Sequence, residues 1–487
     1  MNMTPADFLA TNTNITVRPE PERRTGSVLL VALALAVVLA ACTSVGPNYQ
    51  RPAVDTPVAF KEGEGAWVPA TPADSLERGP WWQLFGDPVL TGLAERVAVD
   101  NQNVAQAVAA YAQARALVAE QRASLFPQVN LDLGASRRGG GGGTPSSSSY
   151  QVNIGGSWEP DVWGRLRRGV DAARAGEQAS AADLAAARLS SQGELAADYF
   201  GLRGLDLQRE LLVATVTGYQ RNLQITQNRY TAGIVARTDV LQAQTALANA
   251  QADVLSVERQ RAQLEHAIAV LVGVAPASFS LAAQPAWSVQ LPMAPVTLPS
   301  TLLQRRPDIA AAERRAASAN EQIGIAQSAY YPSLSLSGSA GLGAATIGEL
   351  FKASSLVWSL GASVAQTIFN GGATAAQVDQ ARASYEAAAA RYRQTVLAAF
   401  QDVEDQLVAA RVLQQQLSLR EQAAQAATLV EQQVLNRYTA GQVSYTDVIT
   451  AQATALSARR ALAQLQSDRQ TAAVALIQAL GGGWAGI

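Results

Sequence analysis

Cys42 and His266 are the only cysteine and the only histidine among 487 residues. A structural zinc site draws on about four such ligands, and a thiol nucleophile needs a neighbouring base. Neither a metal cluster nor a catalytic Cys–His pair is assembled from this inventory. The 39 carboxylates are scattered at solvent-face spacing on helices, with no associated nucleophile or general base. No phosphate-binding loop is present. An enzyme is therefore the weakest reading, and no cofactor or metal is expected. A net charge of −2 also argues against a nucleic-acid partner.

The chemistry left to Cys42 is acylation. Arg23-Arg24 precede an apolar run, Val28 to Ala41, shorter than the ~20 residues of a spanning helix. The run ends Leu39-Ala40-Ala41-Cys42, which resembles a bacterial lipoprotein signal, with residues 1–41 removed and Cys42 lipidated. An ordinary secretory signal with an incidental cysteine is the alternative. Thr43 is consistent with export to the outer membrane, since an aspartate there tends to retain this class at the inner membrane. The stretch ahead of the signal is long, and a later start codon would also fit.

The positioning elements come in duplicate. Asn-Arg-Tyr-Thr-Ala-Gly occurs at Asn228–Gly233 and again at Asn436–Gly441, about 208 positions on, each copy followed by an aspartate, Asp239 and Asp447. Phe126-Pro127 and Tyr331-Pro332 open a second matching pair of segments. The chain reads as an internal duplication of a helix–strand–strand–helix–turn–helix unit.

Four stretches alternate apolar with small polar residues: 126–136, 150–158, 331–340 and 356–365, each close to the ~9–11 residues of a tilted membrane strand. A half-exposed soluble sheet is the alternative. Bacterial barrels begin at about eight strands, so four imply that several chains contribute; a trimer supplies twelve. Leu342–Ser355 reads as a flexible link. Gly164–Tyr230 and Gly371–Tyr438 are proline-free helical stretches of about 67 residues, or about 100 Å, which implies coiled-coil packing. Shorter helices return from the glycine turns, and Leu90–Ser124 reads as one further helix.

The expected organisation is a lipidated equatorial segment (42–88), a helix (89–125), a first barrel hairpin (126–158) and a first helical hairpin (164–272). A linker (273–306), a helix (307–330), a second barrel hairpin (331–366), a second helical hairpin (371–480) and a tail (481–487) follow.

Over essentially the whole mature chain this pattern resembles the TolC-like outer membrane factors, in their lipoprotein (NodT-type) branch. The resemblance rests on Cys42, on Val45-Gly46-Pro47-Asn48-Tyr49-Gln50-Arg51-Pro52 and on Trp81-Trp82-Gln83-Leu84-Phe85-Gly86-Asp87-Pro88. It rests further on Arg305-Arg306-Pro307-Asp308-Ile309 and the doubled Arg-Tyr-x-x-Gly turns. It implies an α+β membrane protein: a homotrimeric 12-stranded barrel, four strands per chain, continued by a periplasmic α-helical coiled-coil barrel. It also implies outer-membrane lipid, a periplasmic membrane-fusion adaptor and an inner-membrane pump of the RND type as partners.

In that family the turns form the periplasmic mouth and meet the adaptor, a role that carries to Arg229, Tyr230, Gly233, Arg437, Tyr438 and Gly441. The alternative is that the glycines only cap helices. Asp447 matches one of the family's gate aspartates, while Thr450 stands where many relatives have another. Asp447 either forms a ring of three carboxylates or serves as a helix N-terminal carboxylate. The functional readings are a passive exit duct of an efflux system for drugs or small toxic solutes, a type I secretion duct, and a periplasmic scaffold without a pore.

Overall fold

The computed structural model describes residues 44–55, 60–62, 79–139, 146–285, 287, 291–292 and 306–482. The signal 1–41, the lipidation site Cys42, much of the 273–306 linker and most of the 481–487 tail lie outside the described residues. The elements in order are α1 (Pro88–Asp100), α2 (Gln102–Ala123), β1 (Gln128–Arg138), β2 (Ser147–Trp158), α3 (Arg165–Thr231) and α4 (Arg237–Leu271). There follow α5 (Pro307–Ser328), β3 (Ser333–Ala344), α6 (Ile347–Leu350), β4 (Leu356–Ala365), α7 (Ala373–Thr439) and α8 (Tyr445–Ala479). They fall into a strand unit and a helical unit.

The strand unit is one sheet in the order β1-β2-β3-β4. Side chains opposite one another across a ladder share a face, so register decides what each face carries. Trp158 pairs with Leu336, which pairs with Ala362; Ile154 pairs with Ala340, which pairs with Trp358. One position along, Ser157 pairs with Ser337, which pairs with Gly361. One face is thus apolar and the other small and polar, with Ser339 and Ser359 hydroxyls 2.8 Å apart. The apolar face is open: Leu133 is 72% exposed and Leu360 83%.

The expected flexible link from Leu342 is shorter in the structure. β3 continues to Ala344, because Leu342 extends the alternation and pairs with Val152 on one side and Leu356 on the other. The remainder is ordered as α6 and a 3-10 turn, Ala353–Ser355.

In the helical unit α3 and α7 have 67 residues each, about 100 Å. Their antiparallel mates α4 and α8 have only 35, about 52 Å. A second short helix completes each return path. In the first repeat Asn101 makes the joint: its Nδ2 donates to Leu271 O at the end of α4 (2.8 Å), while its Oδ1 caps α2 by accepting from Asn103 and Val104 N–H. The single helix expected over Leu90–Ser124 is therefore two, broken where an asparagine bonds the local backbone in preference to continuing the helix. Gly273 follows with φ of 72°, and a Cβ there would sit 2.4 Å from Asp100 O. In the second repeat the end of α8 (Leu476, Ala479, Leu480) and the start of α5 (Ile309, Ala312) pack on Tyr392, Val396 and Phe400 of α7.

The sequence signatures fasten this middle region. Trp81, Trp82 and Phe85 enter the largest apolar cluster with Leu90, Leu195, Phe200, Ile268 and Ile477. Asp87 caps α1 through Val89 and Leu90 N–H and accepts from Tyr199 hydroxyl at 2.6 Å. The 46–51 strap is held by Arg168, which donates to the Gly46 and Pro47 carbonyls, and by Tyr49, which donates to Glu313 at 2.7 Å.

Asp206 is the buried hub of a second clamp. It accepts from Arg203 (2.9 Å) and Arg261 (2.7 Å) and from Gln284 N–H, while these arginines also hold the Ala282 and Leu281 carbonyls. Removing one partner of a buried network leaves uncompensated charge. Asp206→Ala is expected to cost about 3–5 kcal/mol and to lower the thermal transition of the purified protein.

Asp198, partly buried on α3 and near Glu194, has its carboxyl pushed up to about 6, first by burial and then by Glu194. The unfolded value is about 3.9, so the native state binds the proton more tightly and this contribution to stability is lost as pH rises through about 6. Thermal melts are expected to gain stability relative to Asp198→Asn as pH falls from about 7 to about 5, with the difference vanishing if Asp198 is solvated.

Candidate functional site

The two hairpin tips carry nearly all the residues singled out above, and their backbones match bond for bond. At the first, Gly233 N–H donates to Tyr230 O and Ile234 N–H to Arg229 O, both at 2.9 Å. At the second, Gly441 N–H donates to Tyr438 O (2.9 Å) and Gln442 N–H to Arg437 O (2.8 Å). Both glycines are left-handed, with φ of 72° and 75°, which closes the last helical turn without a Cβ penalty. Neither would bring a Cβ near any atom, so both sit on open surface.

The side chains break this equivalence. Arg229 turns inward and donates through Nη1 to Tyr438 O (2.8 Å) and Thr439 O (3.0 Å), at the C-terminal end of α7. Its guanidinium lies 4.6 Å over the Tyr438 ring. Tyr438 is 3% exposed and meets Tyr445 edge-on at 5.1 Å, in a cluster with Val448 and Ala243. Burial, with Tyr438 beside it, pushes the Tyr445 hydroxyl up to about 12. Arg437 is exposed and Tyr230 is 45% exposed. The geometry is a staple: one tip's arginine caps the other tip's helix, where a cation meets the last carbonyls and the negative end of the dipole. The Arg229 Nε and Tyr438 hydroxyl are buried without hydrogen-bond partners among the described residues.

The aspartates also differ. Ser444 and Asp447 form a capping box: Asp447 Oδ2 accepts from Ser444 N–H (3.0 Å) and Ser444 hydroxyl (2.7 Å), and Asp447 N–H donates back to Ser444 Oγ. The first helix has Ala236 at its N-cap, with no side-chain cap. Asp447 and Thr450 are both exposed, and the Thr450 hydroxyl donates to Thr446 O at 3.0 Å. The carboxylate therefore has a capping task whatever else it faces.

The inward Arg229–Tyr438–Tyr445 arrangement was not legible from the motif, since both copies carry the same arginine and tyrosine at the same spacing and Tyr445, whose counterpart is Arg237, lies outside it. Arg460, which reaches Asp253 at 3.1 Å between α8 and α4, was also missed. This pair lines a cavity of about 350 Å³ with Tyr219, Asn249, Ile449 and Leu456. Among the described residues no group of three or more His, Cys, Asp or Glu could hold a metal, and no helix is long and apolar enough to cross a membrane. The latter says nothing of strands.

Comparison with known proteins decides the family. The profile described as outer membrane efflux protein matches residues 93–274 and 298–482. The chain belongs to the outer membrane efflux protein family. It is similar to the pyoverdine export outer membrane protein OpmQ of Pseudomonas aeruginosa, 30% identical over 459 residues and covering 92% of this chain and 96% of OpmQ. It is similar to the cation efflux system protein CusC of Escherichia coli, 28% identical over 459 residues, covering 93% and 98%. The open state of the Neisseria gonorrhoeae MtrE outer membrane channel superposes with a TM-score of 0.80 at 30% identity, covering 91% and 98%.

The protein is thus an outer membrane efflux channel, a passive conduit and not an enzyme. For this channel, the chain-internal contacts yield a local test of Asp447. Asp447→Ala removes the capping box and is expected to weaken the first turn of α8 by about 1 kcal/mol, read as faster amide hydrogen exchange over residues 445–449. Asp447→Asn, which keeps an acceptor, is expected to retain most of that protection.

Proposed function

We propose that the chain works as a homotrimeric exit duct of a tripartite efflux system. The observation that carries this is the sheet's two edges: β1 and β4 each have a neighbour on one side only. Strand edges are not tolerated in hydrocarbon, so the sheet must be closed by other copies, and three chains give twelve strands. The apolar face then meets lipid and the serine-lined face the lumen.

The helical hairpin tips are the periplasmic mouth. Tyr230, Gly233, Arg437 and Gly441 offer the exposed surface on which a periplasmic adaptor docks, while Arg229 and Tyr438 hold the two tips of one chain together. Lipidated Cys42 anchors the start of the mature chain in outer-membrane lipid. The mouth alternates between closed and open arrangements, and the adaptor selects the open one by its differential contacts with the tips. Energy comes from an inner-membrane pump, with the RND type favoured by resemblance.

Drugs or small toxic solutes are the proposed cargo. Relatives of nearly equal similarity are named for pyoverdine, cations and toluene. That spread at constant architecture supports a duct that accepts what its pump delivers.

Planar-bilayer recording of the purified protein tests the reading. Discrete openings are expected, and Arg229→Ala should increase conductance several-fold by releasing the staple, as a closed-to-open population shift of about 1 kcal/mol would. Asp447→Asn, which preserves the cap, should reduce cation preference if three carboxylates line the mouth. Absence of conductance from wild type and Arg229→Ala alike would replace the duct with a scaffold.

A further inference from the structure

The return helices α4 and α8 come together over α3 without filling the space between them. Ala246 and Ala250 of α4 and Ala453 of α8 offer only a methyl group each, and the cavity of about 350 Å³ lies among them. Tyr219 of α3, 8% exposed, and Ala250, 3% exposed, form its buried side, and Ile449 and Leu456 add apolar surface. Asn249, Ala453 and Ser457 are exposed, so the space is open to solvent. A concave, mostly apolar pocket of this size with a few polar groups is the common form of a small-molecule site.

Its polar groups are largely unspent. Asp253 and Arg460 are the last lining residues of their helices, so the charges sit at the end away from the turns. Arg460 Nη1 donates to Asp253 Oδ2 at 3.1 Å, its one hydrogen bond among the described residues, which leaves most of the planar guanidinium fork free. Both side chains are partly exposed, and a pair so solvated holds its members weakly. The side chains of Tyr219, Asn249 and Ser457 make no hydrogen bond among the described residues. Ala453, Ser457 and Arg460 follow Asp447 and Thr450 at steps of three and four, and Ala246, Asn249 and Asp253 follow Asp239 at steps of seven, three and four. The cavity therefore lies on the face of each return helix that begins with the aspartate after the turn.

We propose that this cavity binds amphipathic organic anions, molecules with an apolar ring or chain and a single carboxylate. The apolar body lies against Tyr219, Ile449 and Leu456, in the room that the alanines leave. The carboxylate takes the free fork of Arg460, whose planar donors match it through two parallel N–H···O bonds, and Asn249 and Ser457 serve its remaining lone pairs. Asp253 opposes the ligand, because it competes for Arg460 and repels a second negative charge. The result is a site tuned to hold an anion briefly. The site stands on the local geometry; its use by solutes in transit rests on the duct reading above.

Calorimetric titration of the full chain in lipid nanodiscs, with empty discs as reference, tests the site. The probes are 1-naphthoate and its neutral counterpart 1-naphthamide. Naphthoate should bind saturably, about one per chain, and more tightly than naphthamide. Arg460→Gln should weaken naphthoate about tenfold or more and leave naphthamide unchanged. Asp253→Asn should tighten naphthoate several-fold, where a merely structural pair would give loss from either side. Ala453→Phe, which fills the cavity, should abolish binding. No saturable binding above the reference, equal affinity for the two probes, or undiminished binding by Ala453→Phe would each overturn the site. In planar bilayers naphthoate should shorten the openings of wild type and spare those of Ala453→Phe. Saturable binding without that effect would keep the site and overturn its use in transit. Absence of any openings would defeat the duct reading itself and leave the binding result standing.

Discussion

A strand edge in hydrocarbon leaves backbone N–H and C=O groups unpaired, each at a cost of several kcal/mol, and most of this molecule answers to that constraint. The sheet has an apolar face held in register across β2, β3 and β4, so that Trp158, Leu336 and Ala362 align on one side and Ser157, Ser337 and Gly361 on the other. Such a sheet is fit for lipid on one face and water on the other, but only as part of a closed ring. Four strands per chain make the duplication and the assembly two halves of one solution. Each hairpin of strands belongs to one repeat, and closing the ring takes further copies.

Duplication also sets the dimensions of the helical unit. Each repeat has one 67-residue helix, and its return path is divided between a 35-residue and a 22-residue helix. The division creates a joint in each repeat, and the joints concentrate the buried polar chemistry. Asn101 bridges two helix ends, while Asp206 gathers two arginines and a loop amide. The conspicuous tryptophan and Arg-Pro-Asp signatures belong to this middle region, not to the tips. Asp87 caps a helix and Arg306 bridges Asp308 and Asp402 while reaching the α8 carbonyl end at Ala479. Their task is to hold the joints, which leaves the tips to be governed by few contacts.

The long helices, the strands and the turns were legible because their signals are periodic or punctuated: sustained apolar spacing without proline, alternation over about ten residues, and a glycine at each reversal. Two boundaries were not. The break at Asn101 depends on a side chain choosing the backbone over solvent, and the extension of β3 to Ala344 depends on partners in two other strands. At the tips the failure has a different cause. A repeated motif states which residues are present, but not which copy finds a neighbour within the chain. Arg229 and Arg437 sit in the same hexapeptide and in opposite environments, which the motif by itself does not separate.

That asymmetry bears on how a duct could be both shut and openable. The Arg229 staple gains charge-assisted bonds at 2.8 and 3.0 Å, yet leaves the guanidinium Nε and the Tyr438 hydroxyl buried and unmatched. An unsatisfied buried donor costs about 1–3 kcal/mol, comparable with what the staple's bonds contribute net. The contact between the tips is then held by a small difference between large terms. A contact of that kind yields to a partner whose own binding supplies a few kcal/mol, whereas the Asp206 network, which also leaves Arg203 Nε unmatched, is held by two arginine–carboxylate pairs and three bonds to backbone groups. The molecule thus gathers ion pairs around Asp206, while its tips are joined by one arginine on two carbonyls and a tyrosine ring.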